Sequence, residues 1–259
     1  MINYTNYINC LLIPILLPIR FITFSLIHFA SIFIPKSYLN NNFKSFNFIV
    51  LFILGLYPNK IIDMRKKKID TKIVVFTHRS FADAYIINYI CGPVSYVFRE
   101  RLLKNPVVKY FIGKYGGIAV GNESKSGRTK DIVDYLEKSK DYKLAIAPED
   151  IIDIKKRVLK NNDLGTFRTG AFVPLLPIQP IAIYFHDSSA IWKNYEINDQ
   201  VGAEVEAESN LSWLFRRFIS PMSYIDIYLL EEQEPKINED AIIYRESVRN
   251  HMLKIIQDF

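Results

Sequence analysis

Residues 73–83 read Ile-Val-Val-Phe-Thr-His-Arg-Ser-Phe-Ala-Asp. The four apolar residues Ile73 to Phe76 have the length and composition of a short buried strand. The run stops at Thr77, and a helix is expected over 81–91, capped by Ser80 or Thr77, with Asp83 in its first turns. This order places the imidazole of His78 at the C-terminal end of a strand. The carboxylate of Asp83, five residues on, can fold back across the turn towards it. Such a pair is what a general base needs: the carboxylate keeps one ring nitrogen protonated, and the other is open to take a proton from a hydroxyl. The spacing H-x-x-x-x-D is common by chance, and a histidine at a helix start is often only a packing residue, so the rest of the chain has to agree.

Outward from this segment, residues 73–185 alternate between two patterns. Strands are expected at 73–77, 94–98, 117–120, 143–147 and 178–185, and helices at 81–91, 104–115, 126–139 and 169–173. The alternation predicts an α/β fold with a mixed central sheet flanked by helices. After residue 186 come Trp192, Trp213, Phe215 and Arg216-Arg217, then a strand near 223–230 and an acidic turn, EEQEPKINED. A helix at 240–257 closes the chain, with Ile243, Val248, Met252, Ile255 and Ile256 as its apolar face.

On the N-terminal side, residues 11–34 are mostly apolar, with Arg20 as their only charge and His28 further on, and are long enough to span a bilayer. Pro14, Pro18 and Arg20 argue against a simple straight span and favour a kinked or interfacial helix with Arg20 at the headgroups. The second run, Phe46 to Tyr57, is too short to cross alone and suits a re-entrant or interfacial leg. Lys60 and Arg65-Lys66-Lys67-Lys68 follow, whereas residues 1–10 carry no Lys or Arg, an asymmetry that places the remainder of the chain in the cytosol. The expected division is residues 1–60 as membrane-anchoring helices and 61–259 as the globular domain.

The 259 residues suffice for one sizeable domain with attachments. Hydrophobic residues at 49% and aromatics at 14% are high for a soluble enzyme. The net charge of +6 suits nucleic acid or an anionic membrane. No aromatic-interleaved basic repeat, zinc pattern or helix-turn-helix signal is present, so the membrane is the expected partner and nucleic acid is not. Cys10 and Cys91 form no disulfide framework.

The segment His78-Arg79-Ser80-Phe81-Ala82-Asp83 resembles the first signature of the glycerophospholipid acyltransferases, the lysophosphatidate and lysophosphatidylcholine acyltransferases. Gly116-Gly117-Ile118-Ala119-Val120 resembles their second signature, with Asn122 standing where the family carries arginine. Ala147-Pro148-Glu149 resembles the third, continued here by Asp150-Ile151-Ile152 in place of the family's glycine-led loop. The segments Phe167-Arg168-Thr169-Gly170-Ala171-Phe172 and Pro177-Ile178-Gln179-Pro180, followed by Trp192, resemble the lysophosphatidylcholine branch, as does LLPIRF at residues 16–21.

The resemblance implies an acyl-CoA-dependent enzyme that acylates the free hydroxyl of a lysophospholipid. His78 and Asp83 would be the catalytic pair. Arg79, Ser80, Gly117, Arg128, Glu149, Arg168 and Gly170 would line the substrate site, with Arg157 a further basic candidate and helix-start amides stabilising the oxyanion. It implies no metal and no cofactor beyond acyl-CoA as co-substrate, and a membrane location, the endoplasmic reticulum in a eukaryote. The missing arginine and the added Asp150 make a zwitterionic acceptor the expected one. They also leave open a catalytically impaired, lipid-binding relative.

Overall fold

The structure, a computed structural model, describes residues 4–66, 69–104, 109–110, 112–113, 116–120, 125–138, 142–149, 163–196 and 205–258. Its centre is the expected strand β2 (Ile73–Phe76), whose four residues are all buried. Val74 and Phe76 join one hydrophobic core and Ile73 and Val75 another, on the opposite face of the sheet. Burial on both faces is the reason this strand reads as an unbroken apolar run.

Seven strands form one mixed sheet. They are β1 (Leu56–Asp63), β2, β3 (Val94–Arg99), β4 (Gly117–Val120), β5 (Lys143–Ile146), β6 (Ile178–Phe185) and β9 (Ser223–Leu229), in the order β1-β9-β6-β2-β5-β3-β4. The strands from β6 to β4 are parallel, β9 runs antiparallel to β6, and β1 is parallel to β9. A small hairpin of β7 (Asn194–Glu196) and β8 (Val205–Ala207) stands apart.

One face of the sheet carries α3 (Phe43–Ile53), α4 (Asp83–Cys91) and α6 (Asn210–Ile219), part of α1 (Tyr4–Phe33) packs on the same core, and the short α2 (Lys36–Asn41) lies between α1 and α3 in the chain. The other face carries α5 (Lys125–Lys138) and α7 (Ala241–Ile256). The face of α7 differs from the expected one. Tyr244, Val248, Met252 and Ile256, four residues apart in turn, are buried, and Ile243 points outward at 61% exposure. The expected helix at 169–173 is a single 3-10 turn, Thr169–Ala171. A 3-10 turn, Glu100–Lys104, leads up to the expected 104–115 helix, of which residues 109–110 and 112–113 are helical and the rest beyond Lys104 lies outside the described residues.

The N-terminal region contains more sheet and core than its apolar pattern indicated. Val50, Leu51 and Leu54, in and just after α3, are fully buried in the core, while Ile49 and Phe52 face outward. Strand β1 crosses the boundary expected at residue 60, so the sheet draws on both sides of it. Helix α1 is long and apolar enough to cross a membrane, and little of it is buried. Leu17, Phe24 and Ile27 touch the core, Phe24 and Phe21 pack against Phe218, and Ile15, Ile19, Ile22, Leu26 and Phe29 are exposed.

Arg20 is turned inward rather than to the surface. Its guanidinium donates to the carbonyls of Arg217, Phe218 and Ser220, at the C-terminal end of α6, where unpaired carbonyls favour a cation. Of the basic cluster, Arg65 is tied to Asp63 and Glu232, and Lys66 lies near Glu231. Lys67 and Lys68 lie outside the described residues.

Candidate active site

The chain leaves β2 at Thr77, whose hydroxyl accepts the Ile183 N–H and ties this strand end to β6. A tight turn then leads into α4, which begins at Asp83, so neither Thr77 nor Ser80 caps it. Instead Asp83 itself reaches back. One carboxylate oxygen accepts the backbone N–H groups of Arg79 (2.7 Å) and Ser80 (2.9 Å) and faces Nδ1 of His78 at 3.0 Å. The other accepts the Ser80 hydroxyl at 2.9 Å. The carboxylate is buried, and the two amides and the hydroxyl that donate to it fix it in place. Nδ1 of His78 is therefore the protonated nitrogen, and no described residue bonds Nε2. The imidazole side chain is 32% exposed.

Glu149 stands at the end of β5, beside β2, and pairs with Phe167 in an isolated bridge. Its side chain receives the His78 backbone N–H at 3.3 Å and a bidentate pair from the Arg79 guanidinium. Arg79 also donates to the carbonyls of His78 and Asp163 and is 3% exposed. These two charges thus lie buried against each other behind His78. Of the two roles open to Glu149, contact with glycerol hydroxyls or orientation of a basic side chain, the geometry displays the second.

Ser80 is fully buried with its hydroxyl on Asp83. Arg168, whose N–H bonds the Pro148 carbonyl, carries its side chain on the surface beside the Glu149 strand end. Gly170 lies in the following 3-10 turn, against the first half of α5: a Cβ on it would sit 3.6 Å from Ile132 and 3.9 Å from the Thr129 hydroxyl. Arg128 is in the first turns of α5, with its side chain outside the described set, as are Asn122, Asp150 and Arg157 entirely.

Gly117 is placed apart from His78. It pairs level with Tyr96, hence with Ala145 and Val74, three strands along the sheet and short of the His78 end. Packing explains its identity, because a Cβ there would stand 2.7 Å from the Phe98 ring and 2.9 Å from the Tyr96 carbonyl. The helix-start amides are also less available than expected. Those of Arg79 and Ser80 bond Asp83, that of Ala82 bonds the Ser80 hydroxyl, and that of Asp83 bonds the Ser80 carbonyl.

Trp192 completes the site. Its ring stands perpendicular to that of His78, with centroids 4.7 Å apart, and its backbone N–H donates to the Arg79 carbonyl. The sequence placed this tryptophan after the Pro177–Pro180 segment without assigning it to the catalytic pair.

Residues 63–184, which hold His78, Asp83 and Glu149, match the family model of the acyltransferases. Over 232 residues, 85% of this chain, the sequence is 22% identical to the lysophospholipid acyltransferase LPCAT4 of Mus musculus. The chain spans 40% of that relative's length. The crystal structure of the 1-acyl-sn-glycerophosphate (LPA) acyltransferase PlsC from Thermotoga maritima superimposes with a TM-score of 0.57 over 97% of each chain, at 13% identity. The two share a fold over almost their whole lengths.

Proposed function

We propose that this chain, whose residues 63–184 match the acyltransferase family model, is a membrane-bound enzyme of that family that moves a fatty acyl group from acyl-CoA to the free hydroxyl of a lysophospholipid. One observation carries the reading: Nδ1 of His78 is held by a buried carboxylate while Nε2 has no partner among the described residues. Nε2 takes the proton of the acceptor hydroxyl as that oxygen attacks the thioester carbonyl carbon. The tetrahedral intermediate collapses with cleavage of the carbon–sulfur bond, and His78 returns the proton to the thiolate. Asp83 keeps the tautomer and offsets the imidazolium charge. Transfer is direct, and the buried Ser80 hydroxyl, committed to Asp83, supports that.

The two relatives' names differ in acceptor, one a lysophospholipid in general and the other lysophosphatidate. Asn122 in place of arginine, and Asp150 after Glu149, disfavour a dianionic phosphomonoester. The acceptor is accordingly a zwitterionic lysophospholipid, with Arg128, Arg157 and Arg168 as the basic candidates for its phosphate or for CoA.

For the membrane, α1 is a monotopic anchor at the cytosolic face. It is docked on the domain from Leu17 to His28, whose ring bonds the Tyr85 hydroxyl.

The test is a product assay on purified protein, with labelled acyl-CoA and a panel of lysophospholipids. Diacyl product is expected, and in competition more from lysophosphatidylcholine than from lysophosphatidate. Lipid binding without transfer to any acceptor would replace this reading with that of an impaired lipid-binding relative.

A further inference from the structure

The acyl-transfer site needs a hydrogen-bond donor for the thioester oxygen as it gains charge. The backbone amides of residues 78, 79, 80, 82 and 83 are already engaged within the turn or with Glu149. Two buried side-chain donors near His78 are not: Nε of Arg79, whose other guanidinium nitrogens face Glu149, and the indole of Trp192, whose ring stands against the imidazole. The indole Nε1 of Trp192 is buried and has no hydrogen-bond partner among the described residues. The other tryptophan of the chain, Trp213, shows the usual outcome: fully buried, it gives its N–H to the Ala190 carbonyl at 3.0 Å. A buried donor left without an acceptor is costly and calls for an explanation.

The segment that carries Trp192 is held from several sides. Asp187 receives the N–H and hydroxyl of Ser189 and the hydroxyl of Ser223. Arg216 donates to the carbonyls of Ser189 and Ile191, and its charge is matched by Glu208, which also takes the Lys193 N–H. Arg217 reaches the Ser189 hydroxyl. A chain so constrained could have placed the indole where its N–H met a carbonyl. It places the ring 4.7 Å from His78 with the N–H unanswered.

We infer that Trp192 is a catalytic residue whose indole N–H bonds the thioester carbonyl oxygen and carries its developing negative charge. The role rests on the acyl-transfer reading. It moves no proton: the hydroxyl proton still goes to His78, and the indole stabilises the tetrahedral oxyanion until the carbon–sulfur bond breaks.

Two measurements test it. Trp192→Phe keeps an aromatic ring against His78 and removes the N–H, so kcat should fall on the order of a hundredfold while the KM for acyl-CoA and the Tm stay near wild type. Wild-type kcat would overturn the role, and so would a loss matched by a raised KM and a lowered Tm, which is the mark of packing alone. In the second, the indole ¹H–¹⁵N resonances are followed as a non-transferable ketone analogue of acyl-CoA is added. The Trp192 signal should move downfield and that of Trp213 should hold still; a saturated complex with an unmoved Trp192 signal sinks the inference. If the wild type transfers nothing yet the Trp192 signal moves, the acyl-transfer reading fails and the carbonyl contact stands.

Discussion

His78 and Asp83 lie five residues apart on one strand–helix turn, whereas His186 and Asp226 come from neighbouring antiparallel strands. Both contacts are 3.0 Å, and in both the aspartate is buried. Exposure of the two imidazoles is similar, 32% and 41%. The pairs part in what surrounds them. Asp83 accepts two amides and a hydroxyl from its own turn and holds Nδ1, and Trp192 and the Arg79–Glu149 pair enclose the site. Asp226 holds Nε2 instead and takes a side-chain amide from Asn59, and the ring beside His186 is that of Tyr184. The two His–Asp contacts are alike in length; they differ in which ring nitrogen is held and in what encloses the imidazole.

The contrast is broken most directly by alanine at each histidine. His78→Ala should lower turnover by on the order of 100- to 10,000-fold with the fold intact, and His186→Ala should leave turnover near wild type. Equal losses in a steady-state assay would erase the distinction.

Next in size is the buried ion pair behind His78. Glu149→Ala strands the Arg79 guanidinium in the interior, and breaking such a pair costs about 3–5 kcal/mol. Denaturant titration should show it, and the double variant Glu149→Ala with Arg79→Met should recover part of the loss. A single variant as stable as wild type would mean that the pair does not support the turn.

Asparagine at each aspartate sharpens the comparison further. Asp83→Asn disturbs the tautomer of His78 rather than the base itself, so turnover should drop on the order of a hundredfold, less than with His78→Ala. Asp226→Asn should alter turnover hardly at all, and a pH–rate profile of both variants would separate them.

The smallest effect concerns acid stability of the segment that carries Trp192. Burial works against the carboxylates of Asp187 and Glu208. Hydrogen bonds from Ser189 and Ser223 to the first, and from Arg216 and Lys193 to the second, outweigh it and hold both below the usual range. Their contribution is fully present above the unfolded carboxylate pKa of about 4 and is lost as the pH falls through the lowered folded values. Glu208→Gln should therefore flatten the decline of Tm on acidification, and an unchanged pH dependence would exclude the carboxylate as its source.

The strand–turn–helix at 73–91 was legible because its information is local. An apolar run of four, a turn and a carboxylate one helical turn on need no distant partner to be recognised, and the spacing of His78 and Asp83 is set by that turn. Alternating patterns of the same kind placed β3, β4, β5, β6, β9, α5 and α7 within a residue or so. Strand β1 was missed because it sits at the sheet edge, where only some residues are buried and basic residues follow it. Helix α6 was missed because its stabilising contacts are long-range: Arg217, fully buried, bonds the carbonyls of Leu54 and Gly55, and burial lowers its pKa to about 10.

What the amino-acid order alone determined is the α/β class, the His78–Asp83 pair and the apolar N-terminal helix, because period and short-range spacing encode all three. What needed the folded chain is the direction in which charged and polar side chains turn. Arg20 faces the carbonyls ending α6 rather than headgroups, Arg79 faces Glu149 rather than solvent, and Trp192 stands against His78 with its N–H unanswered. Each depends on partners tens to hundreds of residues away, and no local pattern records which surface a guanidinium or an indole will meet once the sheet has closed.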